Sequence, residues 1–179
     1  MADDRDIIEQ MSRNVEQGFR LLLSQYKESV YWHIRRMVVC HADAQDAAQE
    51  TFIRIFRSFH QHDTKCSLRA WIFRIATNEA LRLLGNRRGA SMLSLDDAAA
   101  DTLNVAADEY VDFGDTLAWR FQQAIIHLPA KQQLAFTLRY YDDMSYDEIA
   151  AVVGSTAASM KVSYNIAKDK IIKYMESHD

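Results

Sequence analysis

The chain has 179 residues, enough for one or two domains, and 49% of them are hydrophobic, which supports packed cores and excludes a disordered protein. One Pro and five Gly leave hairpins and sandwiches without their turn chemistry, so an all-α fold is expected. There is no run of about eighteen apolar residues, and the acidic start Met1-Ala2-Asp3-Asp4-Arg5-Asp6 is unlike a secretory signal, which predicts a soluble, cytoplasmic protein.

Taken in chain order, Phe19, Leu22, Leu23, Tyr26, Val30, Ile34 and Met37 recur at helical spacing and predict one long helix. A second, over about 43–59, carries Phe52, Ile55, Phe56 and Phe59 at i, i+3, i+4 and i+7. Its other side holds Asp46, Glu50, Arg54 and Arg57, with Gln49 beside them; on composition alone this is a solvated outer face. On a third helix, over about 67–84, Trp71, Arg74, Asn78 and Arg82 fall within an arc of roughly 80°, while Ile72, Phe73, Ala76, Leu83 and Leu84 occupy the core side. An indole stacks on an unpaired base, an amide bonds a base edge and a guanidinium pairs with phosphate, so that face has the chemistry of a single-stranded nucleic-acid site. A core tryptophan flanked by solvated arginines would give the same pattern.

Residues 91–115 predict a linker without a sustained helical face. Asp96, Asp97, Asp101, Asp108, Glu109, Asp112 and Asp115 lie there without a Lys or Arg, so the net charge of −4 conceals a remainder of +3. Between Lys65 and Arg88, six bases oppose the single acid Glu79, a local basic patch. The expected organisation is two small helical domains, 1–90 and 116–179, joined by a flexible acidic linker.

Beyond the linker, helices are expected at about 116–127, 130–142, 145–153 and 156–175, separated by Pro129, Asp142-Asp143 and Gly154. Ser145 and Glu148 have capping-box spacing, and Ile149, Ala150 and Val153 form an apolar face. Small Ala150 lets a second helix approach, and Gly154 supplies a left-handed turn. Ser155 or Thr156 caps the next helix, whose Met160 faces back into the angle. These offsets specify a helix-turn-helix, which an ordinary helical hairpin does not explain.

Cys40 and Cys66 lack CxxC partners and suggest free thiols. With His41, His60 and His62 they make five potential ligands, but without the tight pairs of a zinc site, so no metal is expected. No cofactor-binding or catalytic motif is present, so the chain is not read as an enzyme.

Asp43 to Phe56, with Asp46, Gln49, Glu50 and Phe52, resembles region 2.2 of the group IV, or extracytoplasmic function (ECF), sigma factors of the sigma-70 family. Ser67 to Asn78 resembles the promoter-melting segment that follows, and Leu128 to Ala150 resembles region 4. The resemblance implies that Asp46, Gln49 and Glu50 dock on core RNA polymerase. It further implies that Trp71, Arg74, Asn78 and Arg82 serve the melted −10 element, with a flipped base held between Asn78 and the loop from about His62 to Leu68. For the −35 element of promoter DNA it implies Arg139, Ser155, Thr156, Ser159, Lys161, Ser163 and Lys168. Many members carry arginines where this recognition helix has Ser163 and Ile166, so it lacks the bidentate fork that Arg offers guanine. Many are also held by an anti-sigma factor clasping both domains, a partner on which no residue here bears. The alternative is a polymerase-independent helix-turn-helix regulator, which leaves the Trp71 face idle.

Overall fold

A computed structural model of the protein describes residues 3–38, 40–87 and 116–177. The described helices are α1 (Asp4–Arg13), α2 (Val15–Met37), α3 (His41–Ser58), α4 (Leu68–Arg87), α5 (Thr116–Ile126), α6 (Ala130–Tyr140), α7 (Tyr146–Val153) and α8 (Ala157–Ser177), with a short 3-10 turn at Phe59–Gln61. No strand occurs among the described residues, and none of these helices is long and apolar enough to cross a membrane. The linker at 91–115 lies outside the described residues, as does Arg88 of the basic patch.

The helix before Phe19 is an addition to the sequence reading. Asp3 and Asp6 form a capping box at the start of α1, and the Asn14 side chain accepts from the Gln17 amide at 3.2 Å, starting α2 where α1 stops. The two helices fold back closely at Gly18, where a Cβ would lie 2.3 Å from the Met11 backbone nitrogen. Ile7 and Met11 thereby enter the core with Leu22, Tyr26, Val30 and Ile34. α3 and α4 complete this half with Phe52, Ile55, Leu68, Ile72, Phe73, Ala76 and Leu84.

His33 is fully buried inside that core. The Thr77 hydroxyl donates to the Phe73 carbonyl at 2.7 Å, so its remaining lone pairs accept from His33 Nε2 at 2.8 Å, and the bare Nδ1 is left without a partner. Burial, reinforced by the nearby Arg36 charge, drives the imidazole pKa down to about 3 and keeps the ring neutral.

In the second half, Phe136 stacks on Tyr164 with ring centroids 5.7 Å apart, and Ala124, Ile125, Leu128, Ala167 and Ile171 gather around Phe136. The other side of α6, with Met144, Ile149, Val152 and Met160, joins the apolar cluster of the first half. Polar contacts frame this junction. Ser67 Oγ donates to Glu148 Oε1 at 3.1 Å, the Arg69 guanidinium donates to the Asp142 carbonyl, and Arg36 lies 4.0 Å above the Tyr141 ring and 3.5 Å from Asp142 Oδ2. Burial raises the Asp142 pKa to about 6, against the opposing pull of Arg36 and Arg69.

Candidate nucleic-acid interface

The helix-turn-helix is built by short-range devices. The Ser145 Oγ accepts from the Glu148 amide at 3.1 Å, and the Glu148 carboxylate accepts from the Ser145 amide at 3.0 Å, closing the capping box. Gly154 has φ +75°, and the amides of Gly154 and Ser155 both donate to the Ala150 carbonyl, so α7 ends in a left-handed turn. Thr156, rather than Ser155, caps α8 through the Ser159 amide at 3.2 Å. Met160, Ile149 and Ala150 are buried in the angle, with Val152 in the place expected of Val153.

Along the turn and α8, Thr156, Lys161 and Lys168 are exposed, whereas Ser155, Ser159 and Ser163 are half-buried. Ala158, Val162, Asn165 and Ile166, not among the expected contacts, are also exposed. Arg139 braces the turn before α7: its Nη1 donates to the Met144 carbonyl at 2.8 Å, and its guanidinium lies 5.2 Å from the centre of the Tyr146 ring.

On α4, Arg74 and Asn78 project one turn apart into solvent, and Trp71 is half-buried. The indole meets Phe59 and His62 edge-on at 6.1 and 5.3 Å, while His62 stacks on Phe59. This aromatic bracket ties the loop before α4 to the helix, a middle case between a core tryptophan and a free one. The loop closes on itself where the Lys65 amide donates to Asp63 Oδ1 at 3.0 Å, and Ser67 caps α4 through the Ala70 amide.

Arg82 sits differently from Arg74. Its Nε and Nη2 donate to Glu79 Oε2 at 3.1 and 2.7 Å, and Arg54 of α3 meets the other oxygen of the same carboxylate at 2.5 Å. Glu79 is only 3% exposed, so two guanidiniums compensate one buried charge and pin α3 to α4. Glu50 lies 3.5 Å from Arg54 at the edge of this network.

Asp46 and Gln49 are exposed on α3 and line an open groove between α2 and α3. Phe19, Leu23, Tyr31, Phe52, Ile53 and Phe56 form much of its apolar wall, and Trp32 stands beside them. Phe56 is 49% and Trp32 46% exposed. Phe56, expected in the core from its spacing, instead packs edge-on against Phe19 at 5.1 Å on the surface. Among the described residues no group of three or more His, Cys, Asp or Glu is placed to hold a metal ion, and both cysteines are free.

The chain matches the family model for Sigma-70 region 2 over residues 22–90 and that for Sigma-70 region 4 over 118–171. It is 27% identical over 181 residues to the RNA polymerase sigma-H factor of Pseudomonas aeruginosa, covering 97% of this chain and 94% of that one. It is 24% identical over 176 residues to the ECF RNA polymerase sigma factor SigW of Bacillus subtilis, with 94% of each covered. Among solved structures it resembles CnrH, seen in complex with the cytosolic domain of CnrY, with a TM-score of 0.73 and 19% identity over 98% of this chain and 99% of that one. It also resembles the sigma factor RpoE of Bartonella quintana, in complex with the anti-sigma factor NepR, with a TM-score of 0.70 and 20% identity over 88% and 96%. At these identities the structural likeness is one of fold.

Proposed function

Because the chain belongs to the sigma-70 family, in its group IV or ECF class, we propose that three of its surfaces divide the work of initiation. As such a factor it binds core RNA polymerase and directs promoter recognition and melting. Residues 1–90 act on polymerase and the −10 element, 116–179 act on the −35 element, and 91–115 connect them.

Polymerase docks along α3. Asp46, Gln49 and Glu50 offer the polar part of that surface, and the groove with Trp32, Ile53 and Phe56 offers the apolar part. Large exposed apolar side chains rimmed by charge are how a protein surface prepares to bury area against a partner. An anti-sigma factor seated on the same surface would hold the chain away from polymerase.

At the −10 element, Asn78 pairs with the edge of an extruded base, Arg74 holds phosphate, and Trp71 offers the exposed edge of its indole to the melted strand. Arg82 supports this face through Glu79 and keeps part of its guanidinium for phosphate. Upstream, α8 enters the −35 major groove with Thr156, Lys161 and Lys168 toward DNA, while Arg139 holds the turn that aims it.

The exposed Arg74–Asn78 pair beside the bracketed Trp71 carries this reading, since a regulator using the helix-turn-helix alone has no use for it. Asn78→Ala should impair promoter opening more than closed-complex formation. Permanganate reactivity of thymines near −10 measures it, and unchanged opening on duplex promoter refutes the role. The free protein should bind its promoter poorly, because a few lysines neutralise few phosphates, each worth about −0.9 in salt slope. A mobility shift showing nanomolar, sequence-specific binding without polymerase would favour the independent regulator.

A further inference from the structure

The outward face of α8 has an unusual composition for a surface meant to meet DNA. Met160, Ala167 and Ile171 define its buried stripe. Taking about 100° per residue, Ala158, Val162 and Asn165 lie within roughly 40° of the direction opposite that stripe, and Ile166 lies about 60° from it. Val162 is 56% and Ile166 41% exposed, one turn apart. Lys161 and Lys168 are displaced to one flank, about 80–100° from the stripe, where a helix in a groove meets phosphate rather than base edges. Asp169, one turn past Asn165 on the outward line, bounds the face, since its carboxylate is repelled by the negatively charged DNA phosphates.

Isolated exposed apolar residues are ordinary, but here two of them occupy the first three turns after a helix-turn-helix bend, beside an exposed amide and flanking lysines. The small Ala158 permits close approach at the helix start. No arginine occurs on α8, so a bidentate reading of guanine by guanidinium is not available to it. The major groove offers a partner for each remaining group. Thymine presents a C5-methyl to apolar side chains, and adenine presents its N6 donor and N7 acceptor to an amide.

We propose that α8 reads A·T base pairs through this face, with Val162 and Ile166 packed on thymine methyl groups and Asn165 paired with the N6 and N7 edge of an adenine. The inference rests on the placement of α8 in the −35 major groove and assigns the base chemistry that placement left open.

The test uses the full chain bound to core polymerase and a promoter library randomised across the −35 segment. A·T pairs should dominate at least two adjacent positions of the retained sequences. Deoxyuridine at a read thymine, which removes only the methyl, should lower retention about fourfold per methyl. Val162→Ala should abolish the distinction between thymine and deoxyuridine at one position, and Asn165→Ala should relax the preference for adenine by about tenfold or more. A G·C-dominated consensus insensitive to deoxyuridine overturns the A·T reading while leaving α8 in the groove. Equal weakening of both templates by Val162→Ala means the face contacts protein, and the inference falls. No base preference at any randomised position overturns the groove placement itself, and this proposal with it.

Discussion

The two halves of the molecule make their working surfaces by opposite means. The helix-turn-helix half relies on backbone devices within the one segment 145–159: the Ser145–Glu148 box, the left-handed Gly154 and the Thr156 cap. The α2–α3–α4 half relies on long-range exchange, in which Trp32 and Phe56 stay outside while Glu79 and His33 go in. A surface of the first kind is sensitive to a single backbone conformation. One of the second kind is robust locally and depends on partners from other helices.

The largest effect expected from this contrast concerns the groove. Trp32→Ala combined with Phe56→Ala should weaken association with core polymerase by about a hundredfold or more, since central aromatic anchors dominate interface energy, while the half-exposed positions leave the fold intact. Charge reversal at Asp46 and Glu50 should cost less, about tenfold, and mainly in association rate and salt dependence, as rim charges do. Co-purification with core polymerase and titration in rising salt measure both. Equal effects from the two pairs would mean that the groove is not the centre of the interface.

In the other half, Gly154→Val should destabilise by about 1–2 kcal/mol, the cost of a left-handed backbone for an L side chain. Nothing lies within 4 Å of an added Cβ, so that atom meets no neighbour and the backbone conformation carries the cost. Gly154→Asn should restore most of the loss because Asn tolerates that conformation. Thermal melts distinguish the three proteins, and a valine variant as stable as the parent would show that the turn relaxes freely.

The same contrast explains what was legible in the chain. Ser145, Glu148, Gly154 and Met160 stand at fixed short offsets, so the motif could be read directly. The helices of α2 to α4 were legible from periodicity, but α1 was not, because Asn14, Glu16 and Gln17 read as continuous polar chain until the Asn14 cap and Gly18 contact are seen. Phe56 kept core spacing without a helix to cover it. Arg82 shared an arc with Arg74, yet Glu79 of the same helix claims it, and the burial of that carboxylate depends on Arg54, hence on where α3 lies. Asp142 read as a turn residue, whereas at the junction its carboxylate is taken out of water.

The smallest net effect expected is a pH dependence in which the halves oppose each other. His33 has an ordinary pKa of 6.5 and a folded value of about 3, so the folded state binds fewer protons, and its contribution is complete above pH 6.5 and lost as pH falls toward 3. Asp142 goes the other way, from 3.8 to about 6: its contribution is complete below 3.8 and lost as pH rises through 6. Each group alone gives a slope of at most ~1.4 kcal/mol per pH unit. Between about pH 4 and 6 the two slopes have opposite signs, so from these two groups the native protein should show a shallow profile there, steepening below pH 4 where only His33 still responds. Asp142→Asn keeps an acceptor for Arg36 and should unmask a rise in stability with pH from 4 to 6. His33→Leu, which leaves Thr77 bonded to the Phe73 carbonyl, should instead reveal a fall over the same window. Urea unfolding at half-unit pH steps compares the slopes rather than the absolute stabilities, so any packing cost of either substitution drops out. Parallel profiles for the two variants would show that these buried groups do not set the balance between the halves.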